Sequence, residues 1–502
     1  MSDPGSGMLL APLRIEALAL ARGAPDARVV RTGAGARRAG TTARRLAPAP
    51  GMGVVVAGVS GALDSRTSPG DLVVADRVLA GDGRVVAELA SAPLLAAALR
   101  RAGLRAIVGA IVTSERLVRG ASARAGLAST GALAVDLESA PLAAAGWDGP
   151  VAVVRAVVDT PSRELLSPAT LTGGARALRA LQRASPVLVS WAAAAGPHQV
   201  LLAAPRSFCA GVERAVQTVE RALDRFGSPV YVRRQIVHNR HVVAGLEARG
   251  AVFVDELDQV PEGSTVIFSA HGVAPAVRED AAGRDLSVID ATCPLVAKVH
   301  SEVRRFRDRG YQVVLVGHRG HDEIEGTLGE DPNIALIEGP DDVAALRPTD
   351  ATKVAYTTQT TLATDETAAV VVALRDRFPA LVGPHANDIC YASQNRQDAV
   401  RAMSGRCDLV LVVGSANSSN TARLAEVARR GGARAELLDD ESQLDLGWLA
   451  GVRTVGVTAG ASAPERLVQS VVAALGGLGP VEVEQHEVTK ETVAFPLPME
   501  VR

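Results

Sequence analysis

The sequence predicts an α/β protein built from several units, and three observations carry that expectation. Short apolar, β-branched runs alternate with Ala-, Leu- and Arg-rich helical stretches along the whole chain, the pattern of sheets flanked by helices. With 502 residues the chain is several times the size of one compact unit. Every histidine and every cysteine lies at or beyond His198, so the first 197 residues, net +8, differ in kind from the remainder, net −10. The overall charge of −2 is a cancellation, and no global basic field points to nucleic acid. Hydrophobic residues at 47% and charged residues at 22% exclude a disordered chain. Only Lys298, Lys353 and Lys490 are lysines among 53 basic residues, a bias that makes a lone arginine uninformative.

A first module is expected over 1–197. Its strands are read at Val54 to Val59, Asp71 to Ala75, Ala106 to Val112 and Val151 to Val157, with helical stretches between them. The composition shifts over 184–200, and the breaker pair Gly196-Pro197 sets the boundary. A second module is expected over 198–487, followed by a tail, 488–502. Its strands include Val200 to Ala204, Ser264 to Ser269, Leu286 to Asp290, Gln312 to Val316, Lys353 to Tyr356, Asp408 to Val413 and Thr454 to Val457, separated by helices, as in parallel βαβ units. After about 480 the chain alternates apolar and polar residues, which suits an added strand without chemistry.

Cysteine usage speaks for chemistry rather than staples. Cys209, Cys293, Cys390 and Cys407 include no C-x-x-C pair, the start lacks a signal peptide, and no apolar run reaches membrane-spanning length, so a reducing cytoplasm is expected. Cys209 and Cys293 are 84 residues apart, Cys293 and Cys390 97, each about one small α/β unit. Three subdomains, about 207–290, 291–386 and 387–480, would each give one thiolate to a common centre. An iron–sulfur cluster suits three distant thiolates, since zinc sites favour close pairs; zinc and unconnected core cysteines stay open. Cys407, just before an apolar run, reads as a core residue. His238, His271, His318 and His321 fall on Gly-bearing loops at strand ends, with hydroxyls and amides at Thr360, Ser418, Ser419, Asn420 and Ser462. Such donors, converging with little lysine, suit a phosphate or diphosphate group.

The second module resembles a known family through ordered motifs: Pro205-Arg206-Ser207-Phe208-Cys209-Ala210-Gly211-Val212, Ile236-Val237-His238-Asn239, Ala291-Thr292-Cys293-Pro294, Gly320-His321-Asp322-Glu323-Ile324-Glu325-Gly326-Thr327, Asp388-Ile389-Cys390-Tyr391 and Ser418-Ser419-Asn420. They are similar to the 4-hydroxy-3-methylbut-2-enyl diphosphate reductases, the IspH or LytB family, over about 198–480. The resemblance implies three α/β subdomains around one 4Fe-4S cluster on Cys209, Cys293 and Cys390. It further implies an allylic diphosphate held by His238, His271, His321, Thr360, Ser418, Ser419, Asn420 and Ser462, with Glu323 as proton donor. The implied reaction is the last step of the methylerythritol phosphate route to isopentenyl and dimethylallyl diphosphate, with electrons from a ferredoxin or flavodoxin. A quinolinate-synthase-like three-cysteine enzyme and a non-enzymatic iron–sulfur or zinc protein are the alternatives.

The first module carries Gly-Val-Ser-Gly-Ala-Leu-Asp (58–64), Ala-Val-Asp-Leu-Glu-Ser-Ala (134–140) and Val-Val-Arg-Ala-Val-Val-Asp-Thr (153–160). Together they resemble the nucleoside phosphorylase and nucleosidase superfamily over roughly 8–190, and the opening 11–17 looks like its hopanoid-associated phosphorylase branch. This implies Glu138 on a ribose, Asp159 as the acid protonating a departing purine, and the turn Gly33-Ala34-Gly35 near a phosphate or ribose. The substrate would be a purine nucleoside or an adenosyl-linked lipid. The family's Gly-Met-Gly and Met-Glu-Ser read Gly-Ala-Gly and Leu-Glu-Ser here, and a domain that keeps the fold without turnover is the alternative.

Overall fold

The computed structural model describes residues 7–46, 48–161 and 168–502. Contacts divide the chain into two compact units, one of residues up to Val200 with 440–455 and 469–483, the other of 201–439, 456–468 and 484–502.

Among the described residues a ten-stranded mixed sheet organises the first unit. Its centre is the parallel pair Val54–Ala62 and Val151–Asp159, with Val54 opposite Val151. Both strands are apolar nearly throughout, as strands covered on both faces must be. Met8–Ala11 pairs with the first half of Val54–Ala62, and Ala134–Asp136 with its last two residues. That change of neighbour opens a crevice at Val59 to Gly61. The expected strand Ala106 to Val112 is two strands, Ala106–Val108 beside Leu72–Val74 and Ile111–Thr113 beside Ala134–Asp136. The chain crosses between partners at Gly109, where a Cβ would lie 2.4 Å from Leu133 Cδ1. The helix Pro168–Ala194 packs on Val151–Asp159 and on the helix Arg14–Gly23, burying Trp191.

Three smaller sheets follow. Five strands run in the order Arg434–Leu438, Leu409–Val413, Thr454–Ala459, His198–Ala204, Val481–Glu487. Four parallel strands run Ala251–Val254, Val230–Arg233, Thr265–Phe268, Ser287–Asp290, and three run Ala335–Ile337, Gln312–Val316, Val354–Thr358. The three cysteines stand where the chain passes from one sheet to the next. Cys209 follows the strand His198–Ala204, and its helix Ala210–Phe226 packs in the core of the four-stranded sheet. Cys293 follows Ser287–Asp290, and its helix Pro294–Asp308 packs on the three-stranded sheet. The helix Tyr391–Ser404 after Cys390 returns to the five-stranded sheet through Ala399, Val400 and Met403. No helix among the described residues is long and apolar enough to cross a membrane.

Candidate active site

The loops after these strands converge on a pocket of about 100 Å³. Five of its wall residues are helix N-caps: Cys209, Cys293, Cys390, His321 and Ser418. An N-cap brings unpaired backbone N–H groups and the positive end of a helix dipole, so this wall favours anions before any side chain is counted. Ser393 N–H donates to Cys390 Sγ at 3.2 Å, and the backbone of Leu295 and Val296 supports Cys293.

The three thiols share the pocket and form no disulfide. Burial and the neighbouring thiols push Cys293 up to about 12, and burial, then Cys209, pushes Cys390 up to about 11. Such thiols give up protons to a metal rather than to water. Gly211 keeps the space between them: a Cβ there would stand 2.6 Å from Cys293 Sγ and 3.9 Å from Cys209 Sγ. A set of three sulfurs with room between them fits an iron–sulfur cluster held by one chain. Cys407 lies elsewhere, packed in the core of the five-stranded sheet with its Sγ on the carbonyl of Met403.

The histidines form a single cluster. The rings of His238 and His271 stack with centroids 4.1 Å apart, and His321 meets both edge-on. His321 Nδ1 accepts the N–H of Glu323, which leaves the proton on Nε2. His238 Nδ1 donates to Gln235 Oε1, so the free lone pair is on Nε2, which is buried without a hydrogen-bond partner. Burial pulls all three below the usual imidazole range, His321 to about 4. Across the pocket, both amide atoms of Asn420 are buried without partners, and Ser462 Oγ reaches His238 O at 3.0 Å and Ser418 Oγ at 3.4 Å. Ser419 accepts from Thr361 Oγ1 at 2.9 Å. Unsatisfied buried donors and acceptors of this kind call for a polar ligand.

Glu323 sits in the same pocket, fully buried. Thr360 donates to it twice, from N to Oε1 at 2.7 Å and from Oγ1 to Oε2 at 2.9 Å. Burial outweighs both donors and lifts the carboxyl to about 7. The motif neighbour Glu325 instead pairs with Arg234 at 2.6 Å at the surface. His318 turns its ring to Arg423 rather than to His321. Asp322 is a residue that sequence reasoning passed over: its Oδ2 lies 3.8 Å from His238 Nε2 and 3.9 Å from His271 Nδ1, while Arg234 holds Oδ1 at 2.5 Å.

The crevice of the first unit is a separate cavity of about 280 Å³. Glu138 and Asp159 both line it, with Ala34 of the Gly33-Ala34-Gly35 turn. Glu138 accepts the Gly35 N–H at 2.7 Å, and burial raises its carboxyl. Asp159 forms a buried ion pair with Arg124. Glu16 also lines the cavity, its two oxygens accepting the N–H of Val59 at 2.8 Å and of Leu13 at 2.6 Å. It stands within the 11–17 opening, where no role was read for it.

Comparison with known proteins separates the same two regions. Residues 21–187 match the phosphorylase superfamily. Over 306 residues, 61% of this chain and 98% of the relative, the sequence is 56% identical to a 4-hydroxy-3-methylbut-2-enyl diphosphate reductase of Azoarcus sp. (strain BH72). It is 55% identical over 309 residues to the protein of that name from Rhodococcus opacus (strain B4), covering 92% of it. The structure of an E-1-hydroxy-2-methyl-but-2-enyl-4-diphosphate reductase from Plasmodium falciparum superposes with a TM-score of 0.58 at 37% identity, covering 61% of this chain and 96% of that one. Residues 200–476, more than half of the sequence and all the loops that build the pocket, match the LytB protein family, and the chain belongs to it.

Proposed function

We propose that the second module reduces (E)-4-hydroxy-3-methylbut-2-enyl diphosphate to isopentenyl and dimethylallyl diphosphate. The observation that carries this reading is the placement of Glu323, a buried carboxyl near neutrality, in one pocket with three thiols and three histidines. The reaction removes a hydroxyl group: substrate, two electrons and two protons give isopentenyl or dimethylallyl diphosphate and one water. Hydroxide leaves poorly, so a proton must reach the oxygen as the C–O bond breaks. Glu323 is half protonated near pH 7 and supplies it, and the two Thr360 donors then steady the carboxylate that remains.

His238, His271 and His321, with Ser418, Ser419, Asn420 and Ser462, take the diphosphate at the helix N-termini, which fixes the distant hydroxyl of the substrate beside Glu323 and Thr360. Cys209, Cys293 and Cys390 would hold one 4Fe-4S cluster. When bound, it supplies the electrons and a Lewis-acidic iron. A ferredoxin or flavodoxin is the electron donor in this reading, and unpaired cysteines around a reducing cofactor suit a cytoplasmic setting.

Anaerobic purification with metal and sulfide analysis tests this, together with turnover of the allylic diphosphate by a reduced donor. About four iron and four sulfide per chain are expected. Stoichiometric zinc, or a loaded protein that leaves the substrate untouched, overturns the reading.

For the first module the reading is a nucleoside pocket, with Glu138 on the ribose and Asp159 facing the base. Purine release assayed with and without phosphate separates phosphorolysis from hydrolysis. No release, with Asp159 locked to Arg124, identifies a domain that keeps the fold alone.

A further inference from the structure

The three loops that lead into the cysteines are tied together by one cation each. Arg214, five residues beyond Cys209, donates from Nη1 to the carbonyl of Thr292 at 3.1 Å and from Nη2 to that of Asp290 at 3.3 Å, on the approach to Cys293. Lys298, five residues beyond Cys293, donates from Nζ to the carbonyls of Ala386 at 2.9 Å and Asn387 at 3.2 Å, and to the carboxylate of Asp388 at 3.2 Å, on the approach to Cys390. Arg396, six residues beyond Cys390, donates from Nε and Nη2 to the carbonyl of Ser207 at 3.1 and 2.7 Å, and from Nη2 to that of Phe208 at 3.3 Å, on the approach to Cys209. Each cation reaches from one cysteine-capped helix to the loop that enters the next cysteine. The third returns to the first, and the ring closes.

The ring answers a problem set by the fold. The cysteines follow strands of three different sheets, Cys390 only after the helix Thr364–Arg377 and a loop, and hydrogen bonding within any one sheet leaves the other two cysteines unplaced. Loop carbonyls without strand partners need donors, and a cationic donor makes the stronger bond. Here those donors come from the neighbouring cysteine's helix, so satisfying the backbone also fixes the distance between loops. A site whose ligands are held before the metal arrives loses less freedom on binding it.

We propose that Arg214, Lys298 and Arg396 are positioning residues that hold the three cysteine loops at the spacing one iron–sulfur cluster requires. This rests on the reading of the cysteines as cluster ligands. The arrangement is cyclic, so opening any one link leaves the two loops on either side of the break held to each other only through the third.

Arg214→Met is the first variant to make, because its side chain reaches solvent and its partners in the ring are carbonyls, so no charge is stranded. Lys298→Met is made beside it, although it leaves the buried Asp388 carboxylate without its cation. Four quantities are read on the full chain: iron and sulfide after anaerobic reconstitution, the visible and electron-paramagnetic spectra, the rate of iron loss to a chelator, and the melting of the metal-free chain. Each variant is expected to lose its cluster at least about tenfold faster, the usual effect of removing a residue that orients metal ligands. The metal-free Arg214→Met chain is expected to melt within a few degrees of the parent, and the metal-free Lys298→Met chain lower, because Asp388 is uncovered. Lys298→Arg should restore retention. A cluster held as tightly as in the parent, or one lost only in step with melting of the metal-free chain, overturns the ring. A parent chain that takes up no iron and sulfide overturns the ligand reading instead, and the ring's role with it.

Discussion

Two residues in the pocket carry opposite protonation problems. Glu323 must hold a proton at neutral pH, and its burial provides this: the carboxyl is protonated below about 7 and loses the proton above it. Turnover at saturating substrate should therefore fall about tenfold per pH unit on the alkaline side. Glu323→Gln should keep the cluster spectrum and lose at least about a hundredfold in turnover, the scale of a lost general acid. Survival of most of the activity would remove Glu323 from the reaction. His238 has the reverse need, because its Nε2 is a bare lone pair when the ring is neutral and phosphate oxygens want a donor. Binding of inorganic diphosphate should take up a proton and strengthen as pH falls, measured by calorimetry in buffers of different ionisation heat. Burial opposes that protonation and Asp322 favours it. Asp322→Asn should therefore lower the pH below which binding is tight.

The helices show what a sequence can and cannot disclose. Cys209, Cys293 and Cys390 were legible as a set because their spacing matches small α/β units. Their common position as N-caps was not, because a cap needs a helix boundary and cysteine is no usual capping residue. Arg214 and Arg396 were hidden by the abundance of arginine. Lys298 had a signal that went unused: it is one of three lysines and lies five residues after a candidate ligand. Gly211 makes a test at this scale. It lies in the first turn of Ala210–Phe226, and a methyl group there would occupy the space between two thiols. Gly211→Ala should favour the helix by up to about 1 kcal/mol, since alanine is the better helix former. The same change should leave the protein poor in iron. Normal iron content together with the parent spectrum would show that the space is not needed.

At the scale of the whole molecule the C-terminal tail changes meaning. Its alternating sequence suits an added strand without chemistry, and Val481–Glu487 is a strand at the edge of its sheet. In the structure Leu497 and Val501 join the core of the four-stranded sheet, Pro496 O accepts from Arg214 at 2.8 Å, and Glu491 pairs with the fully buried Arg396 at 2.9 Å. None of these contacts is local, so no periodicity could announce them. The tail thus touches two of the three cations that link the cysteine loops. Ending the chain at Glu487 strips Arg396, buried in the full chain, of its counter-charge, and breaking such a pair by removing one partner costs up to about 3–5 kcal/mol. The carbonyls of Ser207 and Phe208 stay in place, which puts the expected loss near the lower end. The shortened chain should unfold at lower denaturant and release iron faster. Glu491→Gln, which keeps a hydrogen-bond acceptor but no charge, should fall between the two. A shortened chain with the parent's unfolding midpoint and iron retention would show that the tail braces nothing.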